Sequence, residues 1–265
     1  LDFGNYLDGY LLKKYRKEII DIKKEKSRLY KAGYRHLEVA GILLNENSQI
    51  YNNLTNYKEK TIQEIKIMND FNKLIESKAS TITLSIDQGI RTSAGKTRKA
   101  FLESHTPNGY ISYTEKLCKD KLVWSIISPN HNHIALVLEK ILSIATLSGL
   151  SVEGYYMPLF PRKLQHIYIK DLDLMIVSSN NEEDIKASKV YPLYQSINSG
   201  ELKLYQSEIN YNQELHDLAI SNASKKFIDA KKKHEVLEKI YIESMDFSKV
   251  DLLYEKIISK WLKVL

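Results

Sequence analysis

The side chains best placed to do chemistry stand together at Ser128-Pro129-Asn130-His131-Asn132-His133-Ile134-Ala135. An apolar, β-branched run, Leu122–Ile127, precedes them, and residues 134–147 carry apolar side chains at helical spacing. The pattern predicts a buried strand, a polar turn and a helix. That junction admits three chemistries. Asn and Ser side chains can satisfy the first N–H groups of the helix, a purely structural task. The helix N-terminus can attract a phosphate, with His131 or His133 adding charge when protonated. His131 and His133, joined by His105 or His166, could ligate a metal, but two histidines two apart with no cysteine or acid nearby fall short of a zinc pattern. The letters H-N-H also make a poor nuclease signature. The structural turn is the reading adopted, with no metal expected.

Other candidates are weaker. Cys118 stands alone and reads as a small core residue. Arg162 and Lys163 could touch a phosphate at the carboxyl edge of a sheet but read as solvated surface. Asp171 and Asp173 flank Leu172 and read as the edge of a strand. No acid/base constellation emerges, so no catalytic residue is expected.

The elements that must position the turn follow from composition and periodicity. The chain has 265 residues, 43% hydrophobic and 27% charged, an ordinary globular composition that excludes disorder as the default. No apolar run reaches the roughly 18 residues of a membrane span, and no signal peptide is evident. The single cysteine excludes an internal disulfide and fits a reducing compartment, so a cytoplasmic protein with no membrane partner is expected. The first residue is Leu1, so a trimmed or processed chain is expected.

The net charge of +6 sits at the ends: residues 1–78 hold 15 Lys/Arg against 11 Asp/Glu, and residues 222–265 hold 10 against 7. Both ends read as helices, so this excess reads as solvated helix faces, with a nucleic-acid or acidic-partner surface as the alternative.

Residues 10–32 and 34–52 read as helices with Gly33 as a joint. Asn52, Asn53, Thr55 and Asn56 supply turn and cap chemistry before a third helix over 57–77. The tyrosines there read as packing and interface residues. The middle alternates short apolar runs with turns. Residues 81–86 read as a strand ending in Asp87-Gln88-Gly89, with a polar loop over 91–99. Thr106-Pro107-Asn108-Gly109 turns between segments 100–104 and 110–113, and residues 114–121 read as a short helix. Strands are expected at 122–127, 152–157, 167–169 and 174–177. The first two, joined by one helix, predict an adjacent parallel pair with a right-handed crossover. Helices return over 216–241 and 249–265, with a turn at 244–248. The expected domains are 1–78, a helical hairpin or bundle; 79–200, an α/β core; and 201–265, a second helical hairpin.

Shifting the sequence by 190 pairs 32–68 with 222–258 without a gap. Ala40 meets Ala230, Ile50 meets Ile240, Tyr51 meets Tyr241, Lys66 meets Lys256 and Ile67 meets Ile257, while Asn56/Asp246 and Tyr57/Phe247 match in kind at the turn. This suggests an internal repeat in which a hairpin follows each copy of a larger unit. The α/β core that would precede the first hairpin is then absent from this chain.

The chain resembles a family of bacterial P-loop proteins, usually labelled predicted ATPases, built from two nucleotide-binding α/β units each followed by a helical segment. The resemblance runs through Leu1-Asp2-Phe3-Gly4-Asn5-Tyr6-Leu7-Asp8, Lys99-Ala100-Phe101-Leu102, His105-Thr106-Pro107-Asn108-Gly109, residues 122–141, residues 152–169 and Met245-Asp246-Phe247. It implies a P-loop NTPase-like, mainly parallel sheet core with flanking helical hairpins. It also places a Walker A loop, G-x-x-x-x-G-K-[ST], on residues 128–135. That loop needs glycines to wrap phosphate, a lysine for the β- and γ-phosphates and a hydroxyl for Mg²⁺. Here Ser128 and His133 hold the glycine positions, Ile134 the lysine position and Ala135 the hydroxyl position. A metal-facing aspartate is also missing, since residues 174–177 lead into Ser178-Ser179-Asn180.

The sequence therefore reads as a degenerate P-loop pseudo-ATPase, structural or ligand-binding. Its candidate phosphate loop is Ser128, Asn130, His131, Asn132, His133, Ile134 and Ala135. No cofactor is expected, ATP and Mg²⁺ entering only through an intact P-loop unit upstream of Leu1. One alternative is part of an active ATPase or nucleotide-kinase-like protein with that upstream unit, and another is a nucleic-acid-binding module using the basic helices. Homo-oligomer or protein partners would use the hairpins.

Overall fold

Apolar and charged residues at helical spacing form the long helices, and the β-branched runs between them form a six-stranded sheet. A computed structural model describes residues 3–84, 94–181 and 185–262. In chain order the elements are α1 (Gly9–Lys14), α2 (Arg16–Asn53), α3 (Tyr57–Leu84), β1 (Thr97–Ala100), β2 (Glu103–Thr106), β3 (Gly109–Ser112) and α4 (Thr114–Cys118). Then come β4 (Leu122–Ile127), α5 (His131–Leu147), β5 (Val152–Tyr156), β6 (Leu164–Ile169), β7 (Leu174–Ser179), β8 (Lys189–Pro192), α6 (Ser199–Glu243) and α7 (Phe247–Leu262). The chain divides into two compact units, one of residues 37–220 and one combining 1–36 with 221–265. Among the described residues no helix is long and apolar enough to cross a membrane.

In the larger unit the strand order is β1-β5-β6-β7-β4-β8. All neighbouring pairs are parallel except those made by β6, which runs antiparallel to both β5 and β7. The sheet is thus mostly parallel. β4 and β5 do point the same way, but they are not neighbours as expected: β6 and β7 lie between them. Hydrophobic periodicity identifies a strand and a crossover helix, whereas adjacency depends on where later strands insert. The core under the sheet joins Trp124, Ile126, Ile134, Val137, Leu138 and Ile141 to Ile67 and Phe71 of α3.

Several local expectations are corrected. α2 runs unbroken through Gly33, which serves packing: a Cβ there would sit 2.5 Å from the Phe227 ring, so only glycine admits that ring. Over 81–84 the chain is still α3, with the rest of the expected strand, the Asp87-Gln88-Gly89 turn and residues 91–93 outside the described residues. α6 starts at Ser199, well before 216, and edge strands β1 and β8 were not anticipated. The turn at Thr106–Gly109 is present, with Gly109 at φ +98° closing the β2–β3 hairpin.

One closure occurs twice. In the larger unit Thr55 and Ile197 form an antiparallel bridge, with Asn56 N donating to Ser196 O at 2.8 Å and Asn198 N to Leu54 O at 2.9 Å. In the smaller unit Leu7 and Met245 form the same bridge, with Asp246 N donating to Tyr6 O at 2.8 Å and Asp8 N to Ser244 O at 2.7 Å. Each residue of the first closure has a counterpart in the second at a shift of 190.

Candidate functional site

The junction after β4 is shorter than a phosphate-wrapping loop. β4 ends at Ile127 and α5 begins at His131, leaving Ser128, Pro129 and Asn130 as the entire connection. Residues 131–135 are already helical. Their backbone therefore cannot curl around an anion.

Side chains satisfy the junction from within. Asn130 is fully buried and caps α5, its Oδ1 accepting from Asn132 N at 3.1 Å. Ser128 Oγ accepts from Asn130 N at 3.1 Å, and His133 N donates to Asn130 O at 3.1 Å. From α2, Asn52 Oδ1 and Ser48 O accept from Asn130 Nδ2 at 2.7 and 3.3 Å. The N–H groups of Asn130, Asn132 and His133 are therefore already in use and not open to an anion. Ile134 and Ala135 are 3% and 4% exposed, with Ile134 built into the main core.

The histidines part company. His131 stacks on Phe160 with ring centroids 5.0 Å apart and planes 11° apart, and its Nδ1 lies 2.9 Å from Ser48 Oγ. Ser48 donates to Leu44 O, so the His131 Nδ1 carries the proton and donates. His133 packs edge-on against Tyr57, and its buried Nδ1 has no hydrogen-bond partner. Burial, with the Lys163 ammonium next in effect, pulls His131 down to about 4. Burial and Lys60 bring His133 down to about 4, against an opposing pull from Glu64. Both rings are neutral at pH 7, which removes the positive charge that anion binding would draw from them. Among the described residues no three His, Cys, Asp or Glu side chains gather to hold a metal.

Lys163 is the cation that sequence reasoning assigned to solvent. It lies over the Phe160 ring, 4.1 Å from its centroid, and donates to Asn132 Oδ1 at 2.6 Å, with His131 Nε2 3.5 Å away. Burial lowers its pKa. Phe160 and Lys163 come from the loop between β5 and β6 and cover the first turn of α5.

Beside the junction a cleft of about 850 Å³ opens at the carboxyl ends of β4 and β7, where open α/β sheets bind ligands. Ser128, Pro129, His131 and Ile134 form part of its wall, with Ser178 and Ser179 at the end of β7 and Asn180 and Asn181 after it. Among its described lining residues there is no Lys or Arg. Amides dominate instead, with Asn47, Gln206, Asn210 and Gln213 from α2 and α6.

The chemical centre of the cleft is Glu103 of β2. Its carboxylate accepts from Ser112 Oγ at 3.0 Å, Thr114 Oγ1 at 3.1 Å, Gln165 Nε2 at 2.5 Å and the Tyr110 hydroxyl. His166 accepts from Ser178 N at 3.1 Å through Nδ1, so Nε2 carries the ring proton and points to Glu103 Oε1, 3.6 Å away. Burial alone would raise the Glu103 carboxyl, but His166, Tyr110 and Gln165 outweigh it and hold its pKa at about 2. A carboxylate so surrounded is a poor base. Ser112 and Thr114 donate to it rather than to a histidine, so neither is activated as a nucleophile. Nothing in the sequence announced this cluster, because its members come from a hairpin and a strand some 60 residues apart.

No protein-family model, no curated protein and no solved structure matches this chain.

Proposed function

We propose that this chain is a degenerate P-loop-type α/β unit that binds a ligand or serves as structure and does not turn over nucleotide. One observation supports the reading: Asn130, inside the loop to which it assigns a phosphate, spends its side chain on Asn132, Asn52 and Ser48. The lysine and hydroxyl positions, Ile134 and Ala135, are buried and apolar. A cleft without a described Lys or Arg suits an uncharged, hydrogen-bonding ligand better than a triphosphate. Calorimetry with Mg-ATP tests the reading. No measurable heat is expected, and micromolar affinity would overturn it.

A second reading draws on a different surface. Residues 1–36 and 221–265 hold 20 Lys/Arg against 12 Asp/Glu, whereas 37–220 hold 19 against 21. Lys24, Arg28, Lys31 and Arg35, spaced by four, three and four residues, share one face of α2 beside a groove. In this reading that face binds the backbone of a nucleic acid. Affinity for duplex DNA or RNA should then fall steeply with salt, and binding that is absent or indifferent to salt removes it.

A further inference from the structure

Two residues in the wall of the cleft, Gln165 and His166 of β6, each hold a buried polar atom without a hydrogen-bond partner: Gln165 Oε1 and His166 Nε2. Their neighbours fix what each atom is. A carboxylate only accepts, so the Gln165 amide turns its nitrogen to Glu103 Oε2, 2.5 Å away, and Oε1 is left as an acceptor. His166 Nδ1 accepts from Ser178 N, so Nε2 holds the ring proton and is a donor. Its distance of 3.6 Å to Glu103 Oε1 is too long for a hydrogen bond. His166 is 2% exposed, and a donor orphaned at that depth is costly unless a ligand answers it.

The answer needs both an acceptor and a donor, and the rest of the wall narrows what carries them. An anion meets no Lys or Arg among the described lining residues. An ammonium finds the buried carboxylate spent, since Glu103 already accepts from Tyr110, Ser112, Thr114 and Gln165. A flat base asks for an apolar slot with polar groups along one edge. Here the polar groups come from separate elements, with Ser112 on β3, Ser178 on β7, and Asn210 and Gln213 on α6. Hydroxyl groups suit such a wall, because each one both donates and accepts. Between the polar groups stand Leu44, Ile134, Leu164 and Ile209 and the rings of Tyr51 and Tyr110, which offer surface to the C–H faces of a saturated ring.

We propose that the cleft binds a neutral sugar, whose hydroxyls accept from His166 Nε2 and donate to Gln165 Oε1. This ligand class rests on the ligand-binding form of the function proposed above. Glu103 is a positioning residue in it: by holding the Gln165 nitrogen, it decides which amide atom is left for the sugar. Ser178 N does the same for the His166 ring. A volume of about 850 Å³ is ordinary for a small-ligand site.

Saturation-transfer NMR on the 265-residue protein tests the assignment, with glucose, galactose, mannose, N-acetylglucosamine and ribose as probes and adenine and uracil as planar controls. At least one sugar should bind, and neither base should. His166→Phe should weaken that sugar by at least about tenfold, the loss of one buried hydrogen bond. Asn210 is exposed, so Asn210→Ala leaves the core intact; it should weaken the sugar by at least about threefold and keeps the test open if the histidine variant does not fold. No sugar binding, a base bound in its place, or a sugar held equally by the parent and both variants overturns the proposal. Binding of Mg-ATP would remove the underlying reading as well, whereas silence from both Mg-ATP and the sugars removes the sugar alone.

Discussion

The side-chain amide of Asn130 donates to Asn52 Oδ1 at 2.7 Å, and through that bond the turn after β4 is tied to α2. The same side chain caps α5 and reaches Ser48 O. Asn130→Ala removes the cap and takes a donor from the half-buried Asn52 Oδ1, a cost of about 1–2 kcal/mol. Asn130→Asp keeps the cap but turns a carboxylate toward two oxygens, so it should be at least as destabilising. Urea denaturation of both variants checks this; an aspartate variant as stable as the parent would show that the Asn52 contact contributes nothing.

Introducing the letters of a phosphate loop should not introduce its chemistry. Ile134 is part of the main core, and Ile134→Lys puts an ammonium in place of a side chain that is 3% exposed. The expected loss of stability is at least about 3 kcal/mol. Combined with Ala135→Thr, the variant should still show no Mg-ATP binding, because α5 has begun by His131 and the loop has no length to wrap a phosphate. Melting temperature and calorimetry read the two parts separately.

Acid should unfold the protein in two ranges. His131 and His133 are depressed to about 4 in the folded state, from an ordinary value of 6.5. The unfolded chain binds their protons first, so stability present above pH 6.5 is lost as pH falls toward 4. Glu103, depressed to about 2 from 4.5, contributes stability present above pH 4.5 and lost as pH falls toward 2. Each contribution is on the order of 3 kcal/mol at most. His131→Gln should remove one of the two histidine contributions to the upper range of a stability-against-pH curve, making it shallower, and leave the lower range unchanged. Glu103→Gln should do the reverse, with a lower plateau at pH 7 because its donors lose a charged acceptor.

Much of this was legible in the residues, and the failures have physical causes. The strand and helix either side of residues 128–130 read correctly because one is β-branched and continuous and the other periodic over many turns. The helix start at Tyr57 was visible because caps need short polar side chains, whereas α7 starts at Phe247, two residues ahead of the expected 249. Residues 81–84, Thr-Ile-Thr-Leu, alternate like a strand, yet they extend α3, where a preceding helix overrides weak local preference. Gly33 looked like a joint because sequence does not show the Phe227 ring lying against it. Lys163 and the Glu103 cluster could not be read at all, since both depend on which loop and which strand come to rest beside α5 and β6.

Ile67 and Ile257 stand 190 residues apart at matching positions, and their environments make opposite predictions for the same substitution. Ile67 is fully buried between α3 and the α/β body, so Ile67→Ala should cost about 2–5 kcal/mol through lost transfer energy and the cavity left behind. Ile257 is 37% exposed on α7, and Ile257→Ala in the 265-residue chain should cost under about 1 kcal/mol. Phe71→Ala and Trp261→Ala should repeat the contrast, since Phe71 is completely buried and Trp261 is 70% exposed. Equilibrium unfolding of the four variants measures the difference. Equal costs at 67 and 257 in the 265-residue chain would mean that Ile257 is covered there, and its exposure on α7 would have to be abandoned.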